Sequence, residues 1–144
     1  MMEDDTIKLL RECNAGVKMG ISALDELMPH VKDSHLKALM TECKDTHSRL
    51  GEDTHEYLTK YGDDGKEPNP MAKMMSWMKT NIKINADESD SCVADLLTDG
   101  CNMGVKSLHQ YLNQYKAADE QIKDLTNQII EAEETMVKQL QTYL

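Results

Sequence analysis

The chain has 144 residues and a formal net charge of −10. Such an acidic surface repels phosphate groups, so neither nucleic acid nor an anionic membrane is an expected partner. Eleven Met, no Phe and the lack of any alternating apolar run argue against a sheet and favour helices.

The first two predicted helices form a hairpin. Helix A is expected from about Asp5 to Pro29, with Asp5 or Thr6 as its cap. It should end at Pro29, because the residue before a proline disfavours the α region. Helix B is expected to open at Asp33 or Ser34, both good capping residues. Residues at helical spacing mark the inner faces: Leu10, Cys13, Val17, Ile21, Leu24 and Met28 in helix A, and Leu36, Leu39, Met40, Cys43, His47, Leu50, Thr54 and Tyr57 in helix B.

Residues 62–87 are predicted to connect this hairpin to a second one. The stretch GDDGKEPNP at 62–70 combines glycine, proline and charge, which is typical of a loop. Residues 71–83, MAKMMSWMKTNIK, place methionines on one stripe with Trp77 beside it, and they predict a short extra helix. The connection is long enough to travel the length of a bundle, and we expect helices A and C to run parallel.

The second hairpin comprises helices C and D. Helix C is expected to start within or just after residues 85–91, where Asp87, Ser89, Asp90 and Ser91 are candidate caps. A short break at 116–119 separates it from helix D. Their inner stripes are Leu97, Cys101, Val105, Leu108, Leu112 and Tyr115 in helix C, and Ile122, Leu125, Ile129, Ala132, Met136, Leu140 and Tyr143 in helix D.

The two hairpins repeat each other in sequence. CNAGVKMGISAL at 13–24 matches CNMGVKSLHQYL at 101–112 with a constant offset of 88. In the second helix of each hairpin, Leu36 and Leu39 match Ile122 and Leu125 at an offset of 86. Two similar hairpins and a long connection predict one all-α domain over 1–144. The predicted architecture is a ferritin-like four-helix bundle with hairpins at 5–61 and 88–144 and the extra helix between helices B and C.

This layout resembles a group of uncharacterised bacterial ferritin-like proteins, a domain family of unknown function. The resemblance covers nearly the whole chain: CNAGVKMGISAL, VKDSHLKALMTECKDTHSRLGEDTHEYL, the region of Trp77, and DGCNMGVKSLHQYL. It implies the bundle fold rather than a particular activity. Ferritin-like proteins often bind two metal ions through a Glu from each of two helices and Glu-x-x-His from each of the others. The middle of helix C, GCNMGVKSL, has no Glu.

Two polar pairs are candidate metal ligands. Glu52 and His55 have the Glu-x-x-His spacing, but the helical wheel turns both away from the inner face of helix B. The inward polar residues are His47 on helix B and Glu133 on helix D, which are equivalent at the offset of 86. We predict that His47 and Glu133 form a polar pair in the core, because one His and one Glu are too few for a two-metal site.

The four cysteines, Cys13, Cys43, Cys92 and Cys101, have no C-x-x-C spacing, and no apolar stretch nears 18 residues. Without a secretion signal, we expect a cytoplasmic protein with reduced thiols. Axial distances indicate that the inner thiols spread along the bundle rather than converge on zinc. Cys92 is a candidate redox thiol because the start of a helix favours a thiolate. Cys92 or Cys13 could therefore serve a thiol-based sensor.

These patterns favour a non-catalytic ferritin-like protein that lacks a complete two-metal site and needs no cofactor. It would act by binding a protein partner or by assembling with itself. The alternative is a degenerate iron- or manganese-dependent oxidase or storage protein using His47 and Glu133, with Glu42 as a neighbour.

Overall fold

A computed structural model describes residues 2–63 and 89–144, and this part of the chain is all helical without a strand. The four long helices are α1, Met2–Leu27; α2, Ser34–Lys60; α3, Asp90–Gln114; and α4, Glu120–Leu140. Short 3₁₀ turns follow α1 at Met28–His30 and α4 at Gln141–Tyr143. The prediction of four helices is thereby confirmed. The extra helix predicted at 71–83 lies outside the described residues.

Capping residues set where α2 and α3 begin, as predicted. The carboxylate of Asp33 accepts hydrogen bonds from the backbone N–H groups of Leu36 and His35, and these bonds lower the pKa of Asp33. The hydroxyl of Ser89 accepts from the N–H of Cys92. In both cases a side chain satisfies a donor that has no partner within its helix.

The cap predicted for α1 at Asp5 or Thr6 is wrong, because α1 already begins at Met2. These two side chains instead serve the other hairpin. Asp5 Oδ2 accepts from the N–H of Ala117 at 3.0 Å, and Thr6 Oγ1 accepts from the N–H of Asp119 at 2.8 Å. The start of α1 therefore holds the turn between α3 and α4.

A matching contact exists at the opposite end of the molecule. The carboxylate of Asp90, in the first turn of α3, accepts from the N–H groups of Lys32 and Asp33 at 2.8 and 2.9 Å. Asp33 and Asp119 are equivalent at the offset of 86 and each caps the second helix of its hairpin. Each hairpin turn is thus bound by the first helix of the other hairpin.

These end contacts fix the directions of the helices. The start of α1 lies beside the end of α3, and the start of α3 lies beside the turn that follows α1. Helices α1 and α3 are therefore antiparallel, and the prediction that they run parallel is wrong. A connection that crosses the whole bundle makes α2 and α3 parallel instead, since α2 has already reversed the direction of α1.

The apolar core is divided into two halves, each built from all four helices. The upper half, at the turn between α1 and α2, consists of Ala23, Leu24, Leu27, Val31, Leu36, Met40, Val93, Ala94, Leu96, Leu97, Cys101, Met136 and Leu140. The lower half, at the turn between α3 and α4, consists of Leu9, Leu10, Cys13, Val17, Leu50, Leu58, Leu108, Ala118, Ile122, Leu125, Ile129 and Ile130.

The gap between the two halves is occupied by one residue from each helix. Gly20 of α1, His47 of α2, Gly104 of α3 and Glu133 of α4 lie within about one helical turn of each other's level. We call this the central layer. In the described ranges, no helix is long and apolar enough to cross a membrane.

Candidate functional site

His47 and Glu133 form a hydrogen-bonded pair at the middle of the bundle. His47 Nε2 lies 2.7 Å from Glu133 Oε1, and the two side chains are only 2% and 11% exposed. The pair joins α2 to α4 and therefore connects the two hairpins. The sequence repeat placed these two positions in equivalent registers, and the structure brings them into direct contact as the predicted polar pair.

The hydrogen-bond partner of the second ring nitrogen of His47 shows that this nitrogen carries a proton. Nδ1 lies 2.9 Å from the backbone carbonyl oxygen of Cys43, which can only accept, so Nδ1–H donates. Burial alone lowers the pKa of His47, but hydrogen bonds with Cys43 and Glu133 and the attraction of the carboxylate outweigh it. The net result raises the pKa to about 10. The raised pKa favours the protonated ring, whose Nε2–H donates to Glu133 Oε1.

Two glycines allow the surrounding helices to approach this pair. A Cβ atom on Gly20 would lie 2.9 Å from Cδ2 and 3.2 Å from Nε2 of His47, closer than van der Waals contact allows. A Cβ on Gly104 would lie 3.8 Å from Cδ of Glu133, an ordinary contact. Gly20 is therefore required by the imidazole ring, whereas Gly104 has room for a methyl group.

Two of the three inner thiols, Cys43 and Cys101, lie beside the pair, so the prediction that the inner cysteines spread along the bundle holds only for Cys13 in the lower half. Cys43 Sγ is 3.5 Å from His47 Nδ1. Burial, followed by the charge of the Glu133 carboxylate and a hydrogen bond to it, raises the pKa of Cys101. The axial count missed these contacts because helical side chains lean toward the N-terminus, which carries the His47 ring over the preceding turn and onto Cys43.

Cys13 and Cys92, the predicted sensor thiols, lie away from the central layer. Cys13 is fully buried in the lower half, where its thiol contacts Thr126 Oγ1 at 3.2 Å. Burial raises the pKa of Cys13 to about 12 although that contact opposes the shift. Cys92 is half-buried against the upper half. All four cysteines lie in the described part of the chain, and none forms a disulfide.

Glu52 and His55, which have the spacing of metal ligands, do not lie in the core. Both residues are exposed, as the helical wheel predicted. Among residues 2–63 and 89–144, no group of three or more His, Cys, Asp or Glu side chains is placed to hold a metal ion. The central layer supplies one carboxylate, whereas a ferritin-like two-metal site uses about four. The residues present do not fit that site.

A groove runs along the surface between α2 and α4, on the side of the bundle where the His47–Glu133 pair joins these helices. It consists of two cavities, of about 320 and 370 Å³, that share Gln128. Half-buried Leu39, Cys43 and Ala132 line the first cavity, and half-buried Tyr57 lines the second. We call this surface the α2–α4 groove.

The rim of the α2–α4 groove is acidic. Five carboxylates and two cations line it: Glu42, Asp53, Glu56, Asp124 and Glu131 against Arg49 and Lys60. Lys60 also covers the ring of Tyr57, with Nζ 5.1 Å from the ring centre. Neither this groove nor the place of Cys43 in it was predicted from the sequence. The available signal was the spacing of Cys43 and His47, four residues apart on one helical face.

No family model, curated protein or solved structure matches this chain.

The two glycines of the central layer predict opposite effects of the same substitution. Gly20→Ala should lower the free energy of unfolding by about 1–3 kcal/mol, because the new methyl group displaces a buried ring held by two hydrogen bonds. Gly104→Ala should leave stability unchanged or raise it by about 0.5–1 kcal/mol, since alanine favours the helix. Urea unfolding of both variants tests this. Equal effects would contradict the geometry.

The raised pKa of His47 predicts a pH dependence of stability. Between pH 6.5, its ordinary value, and about 10, the folded chain keeps a proton that the unfolded chain releases. The free energy of unfolding should therefore fall as pH rises, by at most about 1.4 kcal/mol per pH unit from this group.

Urea unfolding between pH 6.5 and 8 measures this slope in a window below the ordinary pKa of the thiols. Glu133→Gln removes the carboxylate that holds the charge and should flatten the slope relative to wild type. A wild-type slope no steeper than that of the variant would show that Glu133 does not raise the pKa of His47.

Proposed function

We propose that this chain is a non-catalytic, ferritin-like bundle that lacks a complete two-metal site and acts by binding a partner protein. The observation that carries this proposal is that the two polar side chains of the central layer, His47 and Glu133, are hydrogen-bonded to each other. Both nitrogens of His47 are hydrogen-bonded, and its Nε2 faces the only carboxylate of the central layer. A metal ion there would have to separate two groups that are 2.7 Å apart.

The arrangement of helices supports the ferritin-like part of the proposal. Two antiparallel hairpins pack with α2 parallel to α3, which is the order that one long crossover produces. The proposal includes a cytoplasmic location, where the four cysteines would remain reduced thiols.

We place the binding surface in the α2–α4 groove and its partner in the class of basic amphipathic helices. The groove extends from Leu39 to Lys60 along α2, about 30 Å at 1.5 Å per residue, which accommodates about five turns of helix. Half-buried apolar residues line it, while an excess of carboxylates forms the rim. Lysine and arginine flanking an apolar face would complement this surface.

Self-assembly through the same groove is less favourable on electrostatic grounds. Two copies would bring two rims with an excess of negative charge against each other, and like charges at an interface oppose association. A homo-oligomer formed through another surface remains compatible with the proposal.

A labelled amphipathic peptide of Lys and Leu, about 18 residues long, tests the groove by fluorescence anisotropy. The double variant Asp124→Lys/Glu131→Lys should weaken binding at least about 10-fold, because it reverses two rim charges. The matched control Asp95→Lys/Asp99→Lys makes the same charge change at exposed positions of α3 and should change affinity less than about 2-fold.

Equal losses in both variants would reveal attraction to net charge alone and would overturn the assignment of the groove. Analytical ultracentrifugation of the protein without peptide tests the other possible occupant of the groove, a second copy of the chain. A dimer whose dissociation constant changes in the groove variant but not in the control would assign the surface to a second copy of the chain.

The alternative function is a degenerate iron- or manganese-binding oxidase or storage protein. The position of His47 and Glu133 in the central layer favours it, because ferritin-like metal sites also lie in the bundle core. Glu42, proposed as a neighbour, is exposed on the groove rim and is not part of the central layer.

Equilibration with Fe²⁺, Mn²⁺ or Zn²⁺, followed by desalting and elemental analysis, separates the two functions. We expect far less than one ion per chain for each metal, and no difference between wild type and His47→Ala. Near-stoichiometric uptake that His47→Ala abolishes, while the exposed His55→Ala does not, would overturn the non-catalytic proposal in favour of the alternative.

A further inference from the structure

Cys43 combines access to solvent with a charged hydrogen-bond donor. It is half-buried and lines the cavity of about 320 Å³ in the α2–α4 groove. Its sulfur is 3.5 Å from Nδ1 of His47, whose raised pKa favours the positively charged ring. By contrast, Cys13 is 0% exposed and Cys101 is 8% exposed.

The His47 ring is held in place by a third group. Glu133 binds Nε2 at 2.7 Å, which directs Nδ1–H toward the carbonyl oxygen and the sulfur of Cys43. A thiol beside an imidazole that a carboxylate orients is the arrangement by which proteins activate sulfur nucleophiles. The positive N–H stabilises negative charge on sulfur as it attacks an electrophile.

We propose that Cys43 is a reactive thiol, positioned by His47 and Glu133, that small hydroperoxides entering the α2–α4 groove oxidise to a sulfenic acid. The sulfur attacks one peroxide oxygen, so that an S–O bond forms while the O–O bond breaks. Sulfur loses two electrons and the peroxide gains them. With hydrogen peroxide, the departing hydroxide takes up the thiol proton and leaves as water.

The surroundings of the sulfur suit this reaction. The cavity is far larger than a hydroperoxide, and Thr46 and Arg49 line it with polar groups that can hold the peroxide oxygens. Cys43 itself forms part of the cavity lining, so a molecule in the cavity lies next to this residue. This inference does not depend on the proposed partner, because it requires only the cavity and the central layer.

The experiment treats the full chain with hydrogen peroxide in the presence of dimedone, which traps sulfenic acids. Digestion and tandem mass spectrometry then give the labelling rate of each cysteine in one molecule. Cys43 should be labelled at least about 10-fold faster than Cys92, the other half-buried thiol, and faster than Cys43 in the urea-unfolded chain. A labelling rate of Cys43 that is no faster in the folded protein than in the urea-unfolded chain would overturn the proposal without any variant.

His47→Gln removes the charged donor and should slow labelling of Cys43 about 10-fold while leaving Cys92 unchanged. His55→Gln, an exposed change on the same helix, is the matched control and should change neither rate. Thermal unfolding establishes that each variant is folded. If His47→Gln does not fold, Glu133→Gln replaces it, and an unchanged rate at Cys43 in a folded variant of either kind contradicts the positioning roles.

Discussion

The hydrogen bond between His47 and Glu133 is the constraint around which the rest of the bundle is arranged. It lies where an ordinary four-helix bundle would have one continuous apolar core, and it divides that core into two halves. An ion pair in such a position is tolerated only when both partners are present, because removing one leaves an uncompensated buried charge. The pair therefore fixes the register of α2 against α4, and the glycines of α1 and α3 follow from the room that it needs.

Local chemistry made much of the fold predictable. Asp33 and Ser89 act within a few residues of their own positions, so their capping roles could be read directly from the sequence. The inward direction of His47 and Glu133, and their equivalence, followed from helical spacing and from the repeat. The same reasoning failed for Asp5 and Thr6, because these capping residues serve backbone groups more than a hundred residues away.

Other features required knowledge of three-dimensional neighbours. The need for glycine at position 20 depends on which ring lies opposite it, and no property of α1 alone specifies a histidine there. The contact of Cys43 with His47 depends on the tilt of side chains along α2, which positions along the helix axis do not capture. The direction of α3 relative to α1 was predicted wrongly. Helix α2 reverses the direction of α1, so a connection across the bundle makes α3 parallel to α2 and antiparallel to α1.

The repeat gives the central pair a further meaning. Positions 47 and 133 are equivalent in the repeat, and their side chains meet at 2.7 Å, so an approximate two-fold axis that relates the hairpins must pass close to this contact. In a dimer of identical single hairpins, that axis would bring histidine against histidine or glutamate against glutamate. When both hairpins belong to one polypeptide, the two equivalent positions can carry different residues. Only such a fused chain can place opposite charges against each other at the symmetry axis.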